Sequence, residues 1–307
     1  MDMLTSIANT PLIHLKNLSK EAGANIYVKA EMRNPGGSIK DRASLAYVKD
    51  ALATGKLTQD GTVIEATSGN LGIGLAVVCA ELGIRLIVCM PESASIERRK
   101  LMQGLGAEII LTPANKGMSG AQEKAEELYN NSKNAFRPNQ FSNPIGPKAH
   151  YESTGPEIRA QAMQEKISID AFVAGAGSGA TFMGVGKYLK EYYPLIFLGI
   201  IEPEESAVLS GKPAAPHGIQ GIGAGFVPDI VDKSLITEIL TVNTRTAKET
   251  ARKALKTDAL NGGISTGANI AAALELSKRK EFQGKNIVTI ACDTGERYMS
   301  TDLFIQE

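Results

Sequence analysis

The chain has 307 residues, 43% hydrophobic and 21% charged, and its 33 basic and 33 acidic side chains cancel to a formal net charge of zero. That length accommodates one large or two medium domains with ample core, and the neutral balance argues against nucleic acid or a polybasic membrane contact as partner. No cationic-apolar leader opens the sequence and no apolar run reaches the roughly 18 residues of a membrane span, so the expectation is a cytoplasmic protein.

Cys79, Cys89 and Cys292 have no CxxC spacing and no neighbouring histidine. They read as free thiols of a reducing compartment, and no metal site is expected.

In chain order, residues 26–31 read as a strand and are followed by Asn34-Pro35-Gly36-Gly37-Ser38-Ile39-Lys40-Asp41-Arg42. The Pro-Gly-Gly breaker and the Ser38/Asp41 capping pattern predict a helix starting near Ser38, with Lys40 in its first turn. The partial positive charge of a helix N-terminus disfavours an ammonium there and favours the neutral amine, the form that attacks a carbonyl. A solvated lysine opening an amphipathic helix fits this stretch equally well on its own.

A strand at 62–66 runs into Thr67-Ser68-Gly69-Asn70 and then into a helix containing residues 75–82. A polar glycine turn at a helix N-terminus suits a small anion such as a carboxylate, or serves as an ordinary Ser/Asn cap. Strands at 86–90 and 108–111 alternate with helical stretches at 96–105 and 121–129, and the Pro- and Gly-containing segment 141–147 reads as a joint between domains. Beyond it, a strand at 171–174 leads into Gly175-Ala176-Gly177-Ser178-Gly179-Ala180-Thr181. Such a loop can cradle a phosphate with backbone N–H groups and the Ser178 and Thr181 hydroxyls. It is not a Walker loop, and it matches a dinucleotide fingerprint only in part, with Glu202 at the end of the next strand (196–201) as a stand-in for the ribose-binding acid. A nicotinamide oxidoreductase therefore stays open at this point. Gly262-Gly263-Ile264-Ser265-Thr266-Gly267 is a further loop-to-helix turn, uninformative alone, and a strand at 287–291 closes the pattern.

Apolar strands alternating with helices predict an α/β protein: two open, mostly parallel twisted sheets flanked by helices. The expected domains are 1–145, carrying Lys40 and the carboxylate turn, and 146–307, carrying the phosphate loop; residues 1–35 admit packing on the second domain instead.

Taken in order, these motifs resemble the fold-type II pyridoxal-phosphate enzymes of the cysteine synthase and cystathionine β-synthase group, whose fold is like that of the tryptophan synthase β chain. The resemblance runs almost end to end. It also includes Thr10-Pro11-Leu12, Gln140-Phe141-Ser142-Asn143-Pro144, Thr154-Gly155-Pro156-Glu157, Gly221-Ile222-Gly223 and Gly295-Glu296-Arg297-Tyr298. It implies pyridoxal 5′-phosphate as cofactor, with Lys40 as the residue that binds it covalently and later moves protons. It further implies Asn70 at the cofactor's 3′-oxygen, and Thr67, Ser68, Gly69 and Gln140 around the substrate α-carboxylate. Gly175, Gly177, Ser178, Gly179, Ala180 and Thr181 match the phosphate cradle, and Ser265 faces the pyridine nitrogen. Leu71 stands where the family usually has Thr, Ala180 where it has Gly, Ser178 where it has Thr, and Cys292 where cysteine synthases often have Pro.

The implied reaction is β-replacement on O-acetyl-L-serine by sulfide, giving L-cysteine and acetate. The alternative acceptor is homocysteine, with O-acetylserine or serine as donor, because residues 172–184 look closer to some bacterial cystathionine β-synthases. The resemblance also implies a homodimer and, for some relatives, binding of the C-terminus of serine acetyltransferase. An oxidoreductase would leave Lys40, Asn70 and Ser265 unexplained.

Overall fold

The structure, a computed structural model, describes residues 2–304. Ten strands occur among them: β1 (Leu12–His14), β2 (Asn25–Ala30), β3 (Thr62–Ala66), β4 (Arg85–Pro91), β5 (Glu108–Thr112), β6 (Ala135–Phe136), β7 (Ala171–Gly175), β8 (Phe197–Pro203), β9 (Glu238–Val242) and β10 (Asn286–Ala291). The chain divides into two compact units, Met1–Ile7 with Asn34–Ile145, and Ala8–Arg33 with Gly146–Glu307.

In the first unit, four strands lie in the order β5-β4-β3-β6, and every neighbouring pair is parallel. Parallel neighbours require crossovers, which the helices Asn70–Leu82, Ile96–Gly104 and Gly117–Asn130 supply. Alternate side chains enter opposite faces. Val63, Val88 and Met90 join one apolar cluster with Leu75 and Val78, while Ile64, Ile87 and Cys89 join another with Ala121 and Ala125. Burial on both faces is why these strands read as continuous apolar runs.

The helix Lys40–Ala53 packs on the helix Asn70–Leu82 at a glycine. A Cβ on Gly74 would lie 2.6 Å from Ser44 Oγ and 3.1 Å from the Lys40 carbonyl carbon and oxygen.

In the second unit, six strands lie in the order β1-β2-β10-β7-β8-β9; β1 is antiparallel to β2 and the remaining pairs are parallel. Its core gathers Val28, Val173, Ile201, Ile270 and Ile287, each contributing about 1.5–3 kcal/mol by leaving water. The helices Thr244–Asp258 and Ile264–Ser277 approach so closely that a Cβ on Gly267 would meet the Ala247 carbonyl at 2.0 Å.

Candidate active site

Lys40 is the first residue of its helix and is half-buried. The expected Ser38/Asp41 reciprocal cap takes a different form. The N-cap is Ile39, without a side-chain cap, and the Ser38 hydroxyl accepts from the Lys40 N–H at 3.3 Å. The Asp41 carboxylate reaches back past Ser38 to the Gly36 N–H at 2.5 Å. Gly36 permits this because a Cβ there would sit 2.6 Å from Asp41 Oδ1. The breaker is thereby tied onto the helix start that presents Lys40.

Thr67-Ser68-Gly69-Asn70 joins β3 to the helix Asn70–Leu82. The Thr67 N–H donates to the Cys89 carbonyl at 3.1 Å, and Thr67 Oγ1 accepts from the Gly69 N–H at 3.2 Å. The N-cap is Gly69, with no side-chain cap, so Ser68 does not act as an ordinary helix cap. Arg98 donates to the Ser68 carbonyl at 3.5 Å. Leu71, the departure from the family's usual Thr, is buried.

Gln140 lies on the loop after β6. Because β6 and β3 are parallel neighbours, this loop and the Thr67–Asn70 turn leave the sheet at the same edge, where α/β sheets bind ligands. The loop is ordered locally: the Asn139 carbonyl accepts from the Ser142 and Asn143 N–H groups at 3.1 and 3.0 Å, and Asn143 Nδ2 donates to the Pro138 carbonyl at 2.8 Å.

In the second unit, Gly175 to Thr181 joins β7 to the helix Ala180–Tyr192. The N–H groups of Gly177, Ser178 and Gly179 find no acceptor among the described residues, and Ser178 and Gly179 are buried. Unsatisfied buried N–H groups are costly, and three successive N–H groups, two of them buried, at the positive end of a 13-residue helix suit a phosphate-sized anion. Gly177 is required here, since a Cβ would meet the Gly221 carbonyl oxygen at 2.4 Å; Gly179 adopts φ +86°, a left-handed conformation that favours glycine. Ser178 Oγ accepts from the Ala180 N–H at 3.4 Å, and Thr181 Oγ1 lies 3.3 Å from His150 Nε2.

Ser265 is buried in the first turn of the helix Ile264–Ser277, 3.5 Å from where a Cβ on Gly221 would stand. Gly177 and Ser265 thus flank the same short loop. Asn269, four residues further on, is fully buried: its Oδ1 accepts from the Gly175 N–H at 2.9 Å, and its Nδ2 donates to the Ile290 carbonyl at 2.8 Å. It locks the Gly175–Thr181 loop to the end of β10.

Glu202 is consumed structurally. Its carboxylate accepts from the Leu209 N–H (2.7 Å), the Ser210 N–H (3.0 Å) and the Ser210 hydroxyl (2.6 Å). The oxidoreductase alternative thereby loses the acid it needed for a ribose.

Four supporting residues escaped sequence reasoning: Gly74, His150, Asn269 and Glu65. Two left a signal. Asn269 is a lone amide in the apolar run from Ala268 to Leu274, and Glu65 is a lone carboxylate in the apolar strand that feeds the Thr67–Asn70 turn. A single polar residue inside a buried element has to be satisfied by something specific.

The family model "Pyridoxal-phosphate dependent enzyme" matches residues 3–293, and the row of backbone N–H groups at Gly177, Ser178 and Gly179 fits the phosphate of such a cofactor. The chain belongs to the pyridoxal-phosphate dependent enzyme family. Within that family its likeness is to the cysteine synthase group. It is 46% identical, over 99% of its own length and 97% of the relative's, to a cysteine synthase of Staphylococcus aureus. Among solved structures it matches the O-acetyl serine sulfhydrylase isoform 3 of Entamoeba histolytica with a TM-score of 0.95 and 40% identity, covering 100% of this chain and 92% of that one. It also matches the O-acetylserine dependent cystathionine β-synthase of Helicobacter pylori with a TM-score of 0.90 and 37% identity, covering 99% of each chain.

Proposed function

We propose that this chain replaces the acetoxy group of O-acetyl-L-serine with sulfide, giving L-cysteine and acetate. The observation that carries the proposal is the end-to-end likeness to a cysteine synthase.

Pyridoxal 5′-phosphate, when bound, supplies the electron sink that acidifies the substrate Cα–H. Gly177, Ser178, Gly179 and Thr181 would hold its phosphate, with Gly175 and Ala180 framing the loop. Lys40 would hold it through its amine, Asn70 would bond its 3′-oxygen and Ser265 would face its pyridine nitrogen. Thr67, Ser68 and Gln140 bind the substrate α-carboxylate beside Gly69. The substrate amine would displace the Lys40 amine from the cofactor, and the freed, neutral Lys40 amine would take the α-proton as general base. Acetate leaves Cβ, sulfide forms the new C–S bond there, and Lys40 returns the proton to Cα. Ser265 is uncharged and would give the ring nitrogen no anionic partner to favour its protonated form.

The experiment is turnover of O-acetyl-L-serine by the holoenzyme with sulfide and with homocysteine, measured side by side. The expected result is cysteine formation with the higher specificity constant. A much higher specificity constant for homocysteine would transfer the assignment to cystathionine β-synthase, the reading favoured by the Helicobacter pylori neighbour. The family resemblance further supports a homodimer and a cytoplasmic enzyme. It also extends to the C-terminus of serine acetyltransferase as a peptide ligand, which a competition titration against O-acetylserine tests.

A further inference from the structure

Glu65 is a buried carboxylate with no part in the mechanism above. It sits at the penultimate position of β3, two residues before Thr67. One carboxylate oxygen accepts from the Ala66 N–H at 2.8 Å, and the other accepts from the Asn139 N–H at 3.3 Å, next to Gln140. Asn139 is itself held at φ +49°, a conformation asparagine tolerates better than most residues, so its N–H is aimed by a tight turn. One side chain therefore joins the two segments that carry Thr67, Ser68 and Gln140.

We propose that Glu65 is a positioning residue for the substrate α-carboxylate. Its ionised form clamps the loop after β6 onto the end of β3 and sets Gln140 in register with Thr67 and Ser68, and its protonation releases that loop. This rests on the assignment of those three residues to the α-carboxylate.

The chemistry follows from acceptor capacity. An ionised carboxylate accepts through both oxygens, whereas the neutral acid turns one of them into a hydroxyl that donates and accepts poorly. The bond to Ala66 is local to the strand, so the longer bond to Asn139 is the one that yields.

The groups around Glu65 let this occur near neutrality. Burial pushes its carboxyl up to about 7 against the pull of the two backbone N–H groups and the Arg137 guanidinium. Arg137 is shared with Glu126 in an ion pair at 2.5 Å. Tyr47, from the helix Lys40–Ala53, and Cys89, from β4, also face Glu65. Burial raises both, Cys89 to about 11, so both stay neutral over the range in which Glu65 titrates. Lys124 and Glu127, on the helix Gly117–Asn130, bear on Cys89 with opposite signs.

The test compares wild type with Glu65→Gln as holoenzymes, titrated calorimetrically with L-alanine at pH 8 and pH 6. L-Alanine carries the α-carboxylate but no leaving group, and the titration of its own amine is common to both proteins. At pH 8 the variant is expected to bind about fivefold to tenfold more weakly, the size of one lost charge-assisted hydrogen bond. From pH 8 to pH 6 the wild type should weaken by that much more than the variant, while kcat at saturating O-acetyl-L-serine stays within about twofold, as expected for lost ground-state binding.

Wild-type affinity and wild-type pH dependence in the variant would overturn the proposal. A wild type that binds no α-amino acid would overturn the assignment of Thr67, Ser68 and Gln140, and this proposal with it. Amide exchange on the wild type needs no variant. After correction for intrinsic rates, Asn139 should lose protection from pH 8 to pH 6 while Val63 and Ile64 keep theirs; a uniform change across all three would also overturn it.

Discussion

The turn Thr67–Asn70 and the loop Gly175–Thr181 share one plan, in which a parallel strand runs through a glycine turn into a helix whose N-cap, Gly69 or Gly179, makes no side-chain cap. They differ in what they offer and in what braces them. The first offers hydroxyls and amides and is braced by Glu65, a carboxylate that burial brings close to its titration range at neutral pH. The second offers backbone N–H groups in a left-handed turn and is braced by Asn269, an amide with no charge to lose. On the proposed assignment, a site that releases its ligand every turnover and a site that keeps its ligand are built from the same motif. Side-chain donors with a titratable brace suit the former, and fixed backbone donors with a neutral brace suit the latter.

The largest expected effect lies outside both turns, at the amine the comparison assumes. Lys40→Ala should lower turnover by about a thousandfold or more, since it removes the general base and the covalent link together. Borohydride reduction and peptide mapping of the wild type should place a pyridoxyl group on Lys40. A label on another lysine would break the assignment of both turns at once.

The next largest effect separates the two turns. Gly177→Ala forces a methyl to within 2.4 Å of the Gly221 carbonyl oxygen, and the displacement costs about 1–3 kcal/mol of loop geometry. Cofactor content after dialysis should fall sharply while the fold persists. Ser68→Ala should do the reverse. Cofactor content stays at the wild-type level, and KM for O-acetyl-L-serine rises about tenfold, the loss of one hydrogen bond to a charged group. If Ser68→Ala empties the cofactor, or Gly177→Ala spares it and raises KM alone, the division of labour is wrong.

The sequence made one layer of this comparison visible and hid the other. Continuous β-branched runs such as Thr62–Ala66 were legible because both faces of the strand are buried. The turns were legible because glycines and hydroxyls cluster where strands end. β1, β6 and β9 were not: the first two are three and two residues long, and β9 is an edge strand with Glu238 and Thr241 interrupting its apolar run. The helix start at Lys40 was legible to within two residues. Asp41's bond to the Gly36 N–H was hidden, because it depends on a Cβ that Gly36 lacks. The braces were hidden for a general reason. Asn269 and Glu65 act across 94 and 74 positions of chain, and local pattern says that such a residue needs a partner without saying which.

The last effect tests the braces themselves through stability. Burial raises the Glu65 carboxyl from its ordinary 4.5 to about 7, so between those values the folded chain holds a proton that the unfolded chain has released. Folding stability contributed by this group is therefore highest at acid pH, declines as pH rises from about 4.5 to about 7, and is level above that. The steepest slope one group can impose is about 1.4 kcal/mol per pH unit. Carboxylates such as Glu238, which the Arg279 side chain holds below its ordinary range, act in the opposite sense at lower pH. They are common to wild type and Glu65→Gln, so the difference between the two proteins isolates Glu65. Urea midpoints across pH 4.5–7.5 should show the wild type losing stability relative to Glu65→Gln as pH rises. Asn269→Ala should cost stability by an amount that varies far less with pH in that range, because neither backbone group it bonds titrates and its remaining contact is the Cys292 thiol at 3.3 Å, not a carboxylate. Parallel curves for wild type and Glu65→Gln would mean that the two turns are braced alike, by dipoles alone, and the contrast between a releasing site and a keeping site would then have to rest on their donors.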